Sequence, residues 1–242
     1  MRFESVRKRF VSAPISIRIV CVTIVFPCCA RKEKKMTEKE KMYAGKIYNP
    51  FRDGMTEMRC RSHELCRKYN ATPESDTETR ERILNELMPD RGEGVYLQGP
   101  IQFDFGTNIR MGKHSYANFN FCVLDTNYVT IGDDVFIGPN CSILTPVHPL
   151  CPEDRNIFRD EEIGADVNLE YSKPVTIGNN CWLGGNVTVL PGVMIGEGCV
   201  IGAGSVVSRS IPAGSLAFGN PCRVVRKITE KDRLSEHPEL FE

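Results

Sequence analysis

Residues 175–208 read VTIGNNCWLGGNVTVLPGVMIGEGCVIGAGSVVS, and within them an apolar residue returns every six positions at Ile177, Leu183, Val189, Ile195, Ile201 and Val207. Two residues ahead of these runs a smaller series, Val175, Cys181, Val187, Val193 and Cys199, in which Ser205 is the polar member. A period of six fits neither a helix, at about 3.6, nor an alternating strand, at 2. It equals one flat face of a three-sided coil, a short strand followed by a turn, and hexapeptide repeats of this kind mark a parallel β-helix. Glycine follows the large residue at 178, 184, 196 and 202. The pattern assigns these glycines to turns whose backbone angles a Cβ would resist.

Three such units close a coil, and successive coils stack at roughly 4.8 Å, so the backbone ladder is made between coils. Aliphatic side chains then fill the interior as a column. Chemistry must lie outside the prism, on its faces or between neighbouring copies.

The stretch VTIGDDVFIGPNCSI at 129–143 repeats the design with Ile131, Ile137 and Ile143, each preceded by Val129, Val135 and Cys141. Upstream, NIRMGKHSYANFNFCV carries Ile109 and Met111-Gly112 in the matching slot, but two residues out of register, which implies an irregular turn around Asp125 to Tyr128. The solenoid is therefore expected over 96–208. The period fails at 144–174, through TPVHPLCPEDRNIFRDEEIGADVNLEYSKP, and this is an excursion from the prism. Loops of this length are uncommon in compact domains and usually functional.

Residues 36–95 have helical character: a capping-box pattern at Thr37 to Glu40, one helix expected from Met55 to Tyr69 and another from Glu74 to Leu87. Such helices would cap the open end of the solenoid, whose first coil otherwise leaves its ladder unpaired. Residues 209–242 are expected to form a basic tail packing back on the prism. Residues 1–35 have a basic start, an apolar run from Ile19 to Ala30 and a basic end. That run is shorter than the roughly 20 residues a spanning helix needs. The segment reads either as an unstructured extension or as a targeting sequence, and the remainder as a cytoplasmic protein.

The 242-residue chain carries 31 basic and 31 acidic residues, so no net charge argues for nucleic acid or an anionic membrane as partner. Its 11 cysteines form no CxxC pair with metal-ligand spacing, and their odd number argues against a disulfide framework. Cys141, Cys181 and Cys199 occupy interior slots as small hydrophobes.

Among the four histidines at 63, 114, 148 and 237, His148 alone lies in the excursion. Trp182, the one tryptophan, stands between interior Cys181 and Leu183 and so points outwards. A hexapeptide prism is also the scaffold of trimeric carbonic anhydrases. With His114 and His148 as the only histidines of the solenoid, however, a three-histidine zinc site is disfavoured, and no metal is expected.

Taken together, YANFN at 116–120, IGDDVFIGPN at 131–140, the His148-Pro149 dipeptide, the anchor stretch itself and GNPCRVVRKI at 219–228 resemble the galactoside, maltose and nodulation O-acetyltransferases of the hexapeptide-repeat superfamily. The likeness runs from about Met42 to Ile228. It implies a left-handed parallel β-helix with a helical cap, in a homotrimer with its sites at subunit interfaces. It also implies transfer of an acetyl group from acetyl-CoA to a hydroxyl of a sugar or sugar-like acceptor.

By the same resemblance His148 is the general base, Asn118 orients the reacting groups and the Gly185 N–H meets the oxyanion. Arg59, Asp104, Tyr116, Asp125 and Trp182 match acceptor-side positions. Gly185, Ala203, Ser208, Arg209, Arg223 and Arg226 match the coenzyme A side, where arginines suit phosphates. Two departures touch the acceptor side: Asn49-Pro50 stands where an acidic residue is usual, and the loop after His148 is longer than in the galactoside enzyme. A secondary-metabolite alcohol as acceptor, and a catalytically silent trimeric scaffold, are the competing readings. A scaffold would need only the interior register, which leaves His148, Asn118, Trp182 and the arginines unexplained.

Overall fold

The structure, a computed structural model, describes residues 35–241. The expectations for the N-terminal extension fall on residues outside these, apart from Lys35.

Three parallel ladders build a left-handed β-helix of triangular section. Its first face stacks Tyr96–Leu97, Tyr116–Ala117, Phe136–Ile137, Trp182–Leu183, Val200–Ile201 and Ser215–Phe218; the second stacks Ile101–Phe103, Phe121–Leu124, Ser142–Leu144, Thr188–Val189 and Val206–Val207. The third holds Ile109–Met111, Val129–Ile131, Val175–Ile177 and Met194–Ile195. Both six-residue registers of the anchor stretch point inwards, none of their members more than 3% exposed. Burying each large aliphatic side chain contributes about 1.5–3 kcal/mol, and the column is continuous from coil to coil. Ser205 is accommodated because its hydroxyl donates to the Gly202 carbonyl and accepts the Gly219 N–H.

The repeat glycines serve a purpose other than the expected one. Residues 178, 184, 196 and 202 do not adopt positive φ; the left-handed turn positions are instead Asn180, Asn186, Gly192, Gly198 and Gly204. What excludes a Cβ is the next coil: one built on Gly178 would lie 2.6 Å from the Glu197 nitrogen, and one on Gly184 2.7 Å from that of Ala203. Close stacking, rather than backbone angle, fixes these residues.

Helix α1 (Glu38–Tyr43) begins with the capping box formed by Thr37 and Glu40. Helices α2 (Met55–Ala71) and α3 (Thr77–Leu87) follow, the latter starting later than the sequence suggests because Asp76 caps it through the Thr79 N–H at 3.1 Å. Helix α2 is bolted to the uppermost strand of the second face. Ser62 donates to the Phe103 carbonyl at 3.0 Å, and the Asn70 amide both donates to the Ile101 carbonyl (2.9 Å) and accepts its N–H (2.8 Å). These side chains replace the missing coil above. Buried Arg80 of α3 completes the joint by donating to the carbonyls of Leu97 and Gln98.

The solenoid runs past the expected limit at 208. Ser215–Phe218 pairs in parallel with Val200–Ile201, and Arg223–Lys227 then adds an antiparallel strand along it. Nor is the excursion structureless. Pro146–Val147 pairs antiparallel with Tyr171–Ser172 at its base; beyond lie a short helix α4 (Pro152–Arg155) and a hairpin of Phe158–Asp160 with Ala165–Val167. Asp160 ties the hairpin to the cap through Asn49 (3.0 Å) and Arg52 (2.8 Å). Among the described residues no helix is long and apolar enough to cross a membrane.

Candidate active site

Because Val147 lies opposite Tyr171 in the antiparallel pair at the base of the excursion, the next residues along, His148 and Glu170, face one another. His148 Nε2 stands 3.8 Å from Glu170 Oε2, and its Nδ1 lies 3.4 Å from the Asn168 amide nitrogen. The imidazole is half exposed whereas the carboxylate is nearly buried. Behind Glu170, the fully buried Tyr48 donates its hydroxyl to Oε1. Backbone bonds in both directions, 2.9 and 3.2 Å, join the same two residues. A carboxylate so held has little freedom, and the half-exposed imidazole is the part left to meet solvent or substrate.

Burial pushes the Glu170 carboxyl above its ordinary range, an effect the Tyr48 hydrogen bond and the His148 imidazole oppose and the charge of Asp104 reinforces. Burial likewise pushes Asp104 up, opposed by Arg59 and by His63, whose Nε2 is 3.7 Å away. Tyr48 is raised far beyond the usual phenol range by burial and by the adjacent anion. Arg59, His63, Asp104, Glu170, Tyr48 and His148 therefore form one electrostatically connected group at the trailing edge of the second face. The sequence had pointed to Arg59, Asp104 and His148. Tyr48, His63 and Glu170 were missed, since no periodicity links them and Glu170 meets His148 only through strand pairing.

Asn118, Gly185 and Ala203 lie elsewhere. They occupy the leading edge of the same face, stacked in the corner where the first face turns into the second, with the Gly204 N–H bonded to the Gly185 carbonyl at 2.9 Å. A face of four to five residues, at about 3.3 Å each, puts roughly 15 Å between this edge and His148. The Asn118 oxygen accepts the Phe119 N–H at 2.7 Å, and among the described residues neither its amide NH2 nor the Gly185 N–H has an acceptor. Both are donors awaiting an acceptor. A Cβ at Gly185 would meet Pro139 at 3.4 Å, an ordinary van der Waals contact.

Tyr116 and Trp182 belong to the first face. There they continue an outward ladder, Tyr96, Tyr116, Phe136, Trp182, Val200 and Leu216, with Tyr96 and Tyr116 stacked at 6.0 Å between ring centres. Trp182 is 56% exposed, as its position between two interior residues requires.

Asp125 corrects the expectation outright. Its carboxylate is fully buried and accepts the backbone N–H groups of Phe105 (2.8 Å) and Asn108 (3.2 Å), while its carbonyl accepts the Asn108 amide. It organises the irregular turn between the second and third faces and offers nothing to an acceptor. Burial nevertheless pushes its pKa up to about 6, against the pull of those N–H donors.

At the foot of the prism Ser208, Arg209 and Arg223 are exposed. Arg226 is engaged: its guanidinium holds both oxygens of Asp232, at 2.7 and 2.8 Å.

Residues 41–92 match the family described as the maltose acetyltransferase hexapeptide capping motif, and 174–209 match the bacterial transferase hexapeptide of six repeats. Galactoside O-acetyltransferase of Escherichia coli strain K12 is 39% identical over 198 residues, 82% of this chain and 93% of the relative. A maltose O-acetyltransferase from Clostridium difficile 630 has a solved structure that superimposes with a TM-score of 0.73 at 40% identity, covering 81% of this chain and all of that one. A galactoside acetyltransferase in complex with coenzyme A gives a TM-score of 0.74 at 39% identity, over 82% and 94% of the two chains.

Proposed function

The chain belongs to the maltose and galactoside acetyltransferase family of hexapeptide-repeat proteins and is an acetyl-CoA-dependent acetyltransferase, and from this premise we propose that it acetylates a hydroxyl of a sugar, with His148 as general base. The observation that supports this reading is the His148–Glu170 pair, held by Tyr48 and flanked by Asp104 and Arg59.

In this mechanism the neutral imidazole takes the proton of the attacking hydroxyl while its oxygen adds to the thioester carbonyl carbon. Negative charge then develops on the carbonyl oxygen, where the Gly185 N–H donates to it. The carbon–sulfur bond breaks and the imidazolium returns its proton to the leaving thiolate. Glu170 acts through His148: a buried carboxylate stabilises the transient imidazolium and restricts the ring's rotation, without touching substrate. Asn118 donates its amide NH2 to the reacting groups.

One chain holds the two halves of this machinery on opposite edges of its second face. A neighbouring copy whose leading edge packs against the trailing edge of the first brings His148 within reach of another chain's Asn118 and Gly185. A closed ring of three such contacts completes three sites, which supports a homotrimer. Ala203, Ser208, Arg209 and Arg223 extend from the Gly185 corner to the foot of the prism and suit the pantetheine arm and phosphates of coenzyme A, and Arg226 joins them where Asp232 gives way.

The acceptor side favours sugars because Asp104 and Arg59 present charged hydrogen-bonding groups at a partly dry edge, as fixed hydroxyl recognition demands. The test is thiol release from acetyl-CoA with a panel of sugars and simple alcohols. Sugar-dependent release supports the reading; release with non-sugar alcohols alone removes the sugar from it.

A further inference from the structure

Between helix α2 and the outer side of the second face lies a cavity of about 300 Å³. Its floor is apolar, with Cys66, Cys122 and Leu124; its rim carries His63, Gln102 and Asp104. We propose that this cavity is a second acceptor subsite, which takes the neighbouring ring of a disaccharide or longer glycan while the reacting ring lies at His148. The proposal rests on the sugar reading above and makes it narrower.

Three observations carry it. The walls are pre-formed, since α2 is fixed to the strand Ile101–Phe103 by the bonds of Ser62 and Asn70. A rigid cavity spares the ordering cost of binding. Second, the chemistry matches one sugar ring. Apolar carbon and sulfur atoms below suit its C–H face, while the exposed Gln102 amide and the Asp104 carboxylate suit its hydroxyl edge. Their partners within the protein are few: Asp104 has the His63 imidazole at 3.7 Å and the charge of Arg59 acting on it, and the Gln102 side chain has none among the described residues. Third, the cavity and the charged group at the reaction edge share Asp104. That carboxylate lines the cavity, and its charge is felt at Glu170, while Arg59 faces both.

Cys122, partly exposed and paired across the ladder with Gln102 and Ser142, lines this cavity. Its side chain forms the middle of the floor. A bulky residue there would close the subsite without reaching His148.

The test compares each monosaccharide with its disaccharide, glucose with maltose and galactose with lactose, by thiol release from acetyl-CoA in the full-length protein. The expected result is a kcat/KM at least 10-fold higher for the disaccharide in one pair, arising in KM. In Cys122→Phe and in Gln102→Ala that ratio should collapse towards one, and the second variant, at an exposed position, guards against a folding defect in the first. If monosaccharides are acetylated but disaccharides gain nothing, or the gain survives both variants, the subsite is wrong and the sugar reading stands. If no sugar elicits thiol release, both fall.

Discussion

His148 and Glu170 are brought together by register: the pairing of Val147 with Tyr171 leaves the imidazole Nε2 3.8 Å from a carboxylate that Tyr48 holds from behind. Residues more than twenty positions apart thus become a functional pair at the point where the excursion closes. Glu170→Gln is expected to lower kcat about 10- to 100-fold while the KM for acetyl-CoA stays unchanged, as for an outer-shell partner of a working histidine. Burial raises the Glu170 pKa, so its protonation contributes to the acidic loss of activity in the native enzyme. In the variant the acidic limb of kcat/KM moves to lower pH, because glutamine does not titrate. A purely structural Glu170 would leave the limb where it is and lower the melting temperature instead.

Asp125 gives a pH dependence of stability. Its native pKa, pushed up to about 6, exceeds the unfolded value near 3.9, so the folded chain binds the proton more tightly across that window. Stability from this group is present below the unfolded value and is lost as pH rises through about 6, on the order of 3 kcal/mol in all. Asp125→Asn should be less stable overall, since one backbone N–H loses its acceptor, yet should lose less stability between pH 4 and 6.5 than the native chain. Thermal midpoints of both proteins across that range decide it.

Arg226 offers its guanidinium to Asp232 at 2.7 and 2.8 Å, the geometry a phosphate would otherwise use. Asp232→Ala is expected to lower the acetyl-CoA KM severalfold and Arg226→Ala to raise it, both with little change in kcat, since a remote phosphate contact contributes equally to ground and transition state. Initial-rate kinetics at saturating acceptor test both directions.

A site shared between copies predicts complementation. His148→Ala and Gly185→Leu chains, each inactive alone, should recover about a quarter of native activity when unfolded and reassembled together at equal amounts, because one site in four then takes His148 and Gly185 from intact edges. Sedimentation should give a trimer for every mixture. No recovery from correctly assembled mixtures would mean that each chain carries its site alone.

How far the sequence reveals this molecule depends on what enforces each feature. Period six is imposed by the closed coil itself, so every interior residue from Val175 to Val207 could be assigned, and the capping box at Thr37 is local chemistry that needs no tertiary context. His148 stood out because the excursion interrupts the period. Glu170 did not, because antiparallel pairing at the excursion's base leaves no repeat in the sequence. Asp125 was misassigned for a related reason: a carboxylate beside an irregular turn reads the same whether it faces an acceptor or the N–H groups of Phe105 and Asn108. The repeat glycines were correctly placed in the turns, while the cause, the approach of the next coil, belongs to the stack and not to the residue.

The central claim is that His148 removes the proton of the acceptor hydroxyl. Single-turnover thiol release by His148→Ala, with acetyl-CoA binding measured on the same sample, tests it most directly. The account predicts a rate lower by a factor on the order of 10² to 10⁴ with donor affinity intact. A near-native rate in a variant that binds both substrates would contradict it and put the base elsewhere.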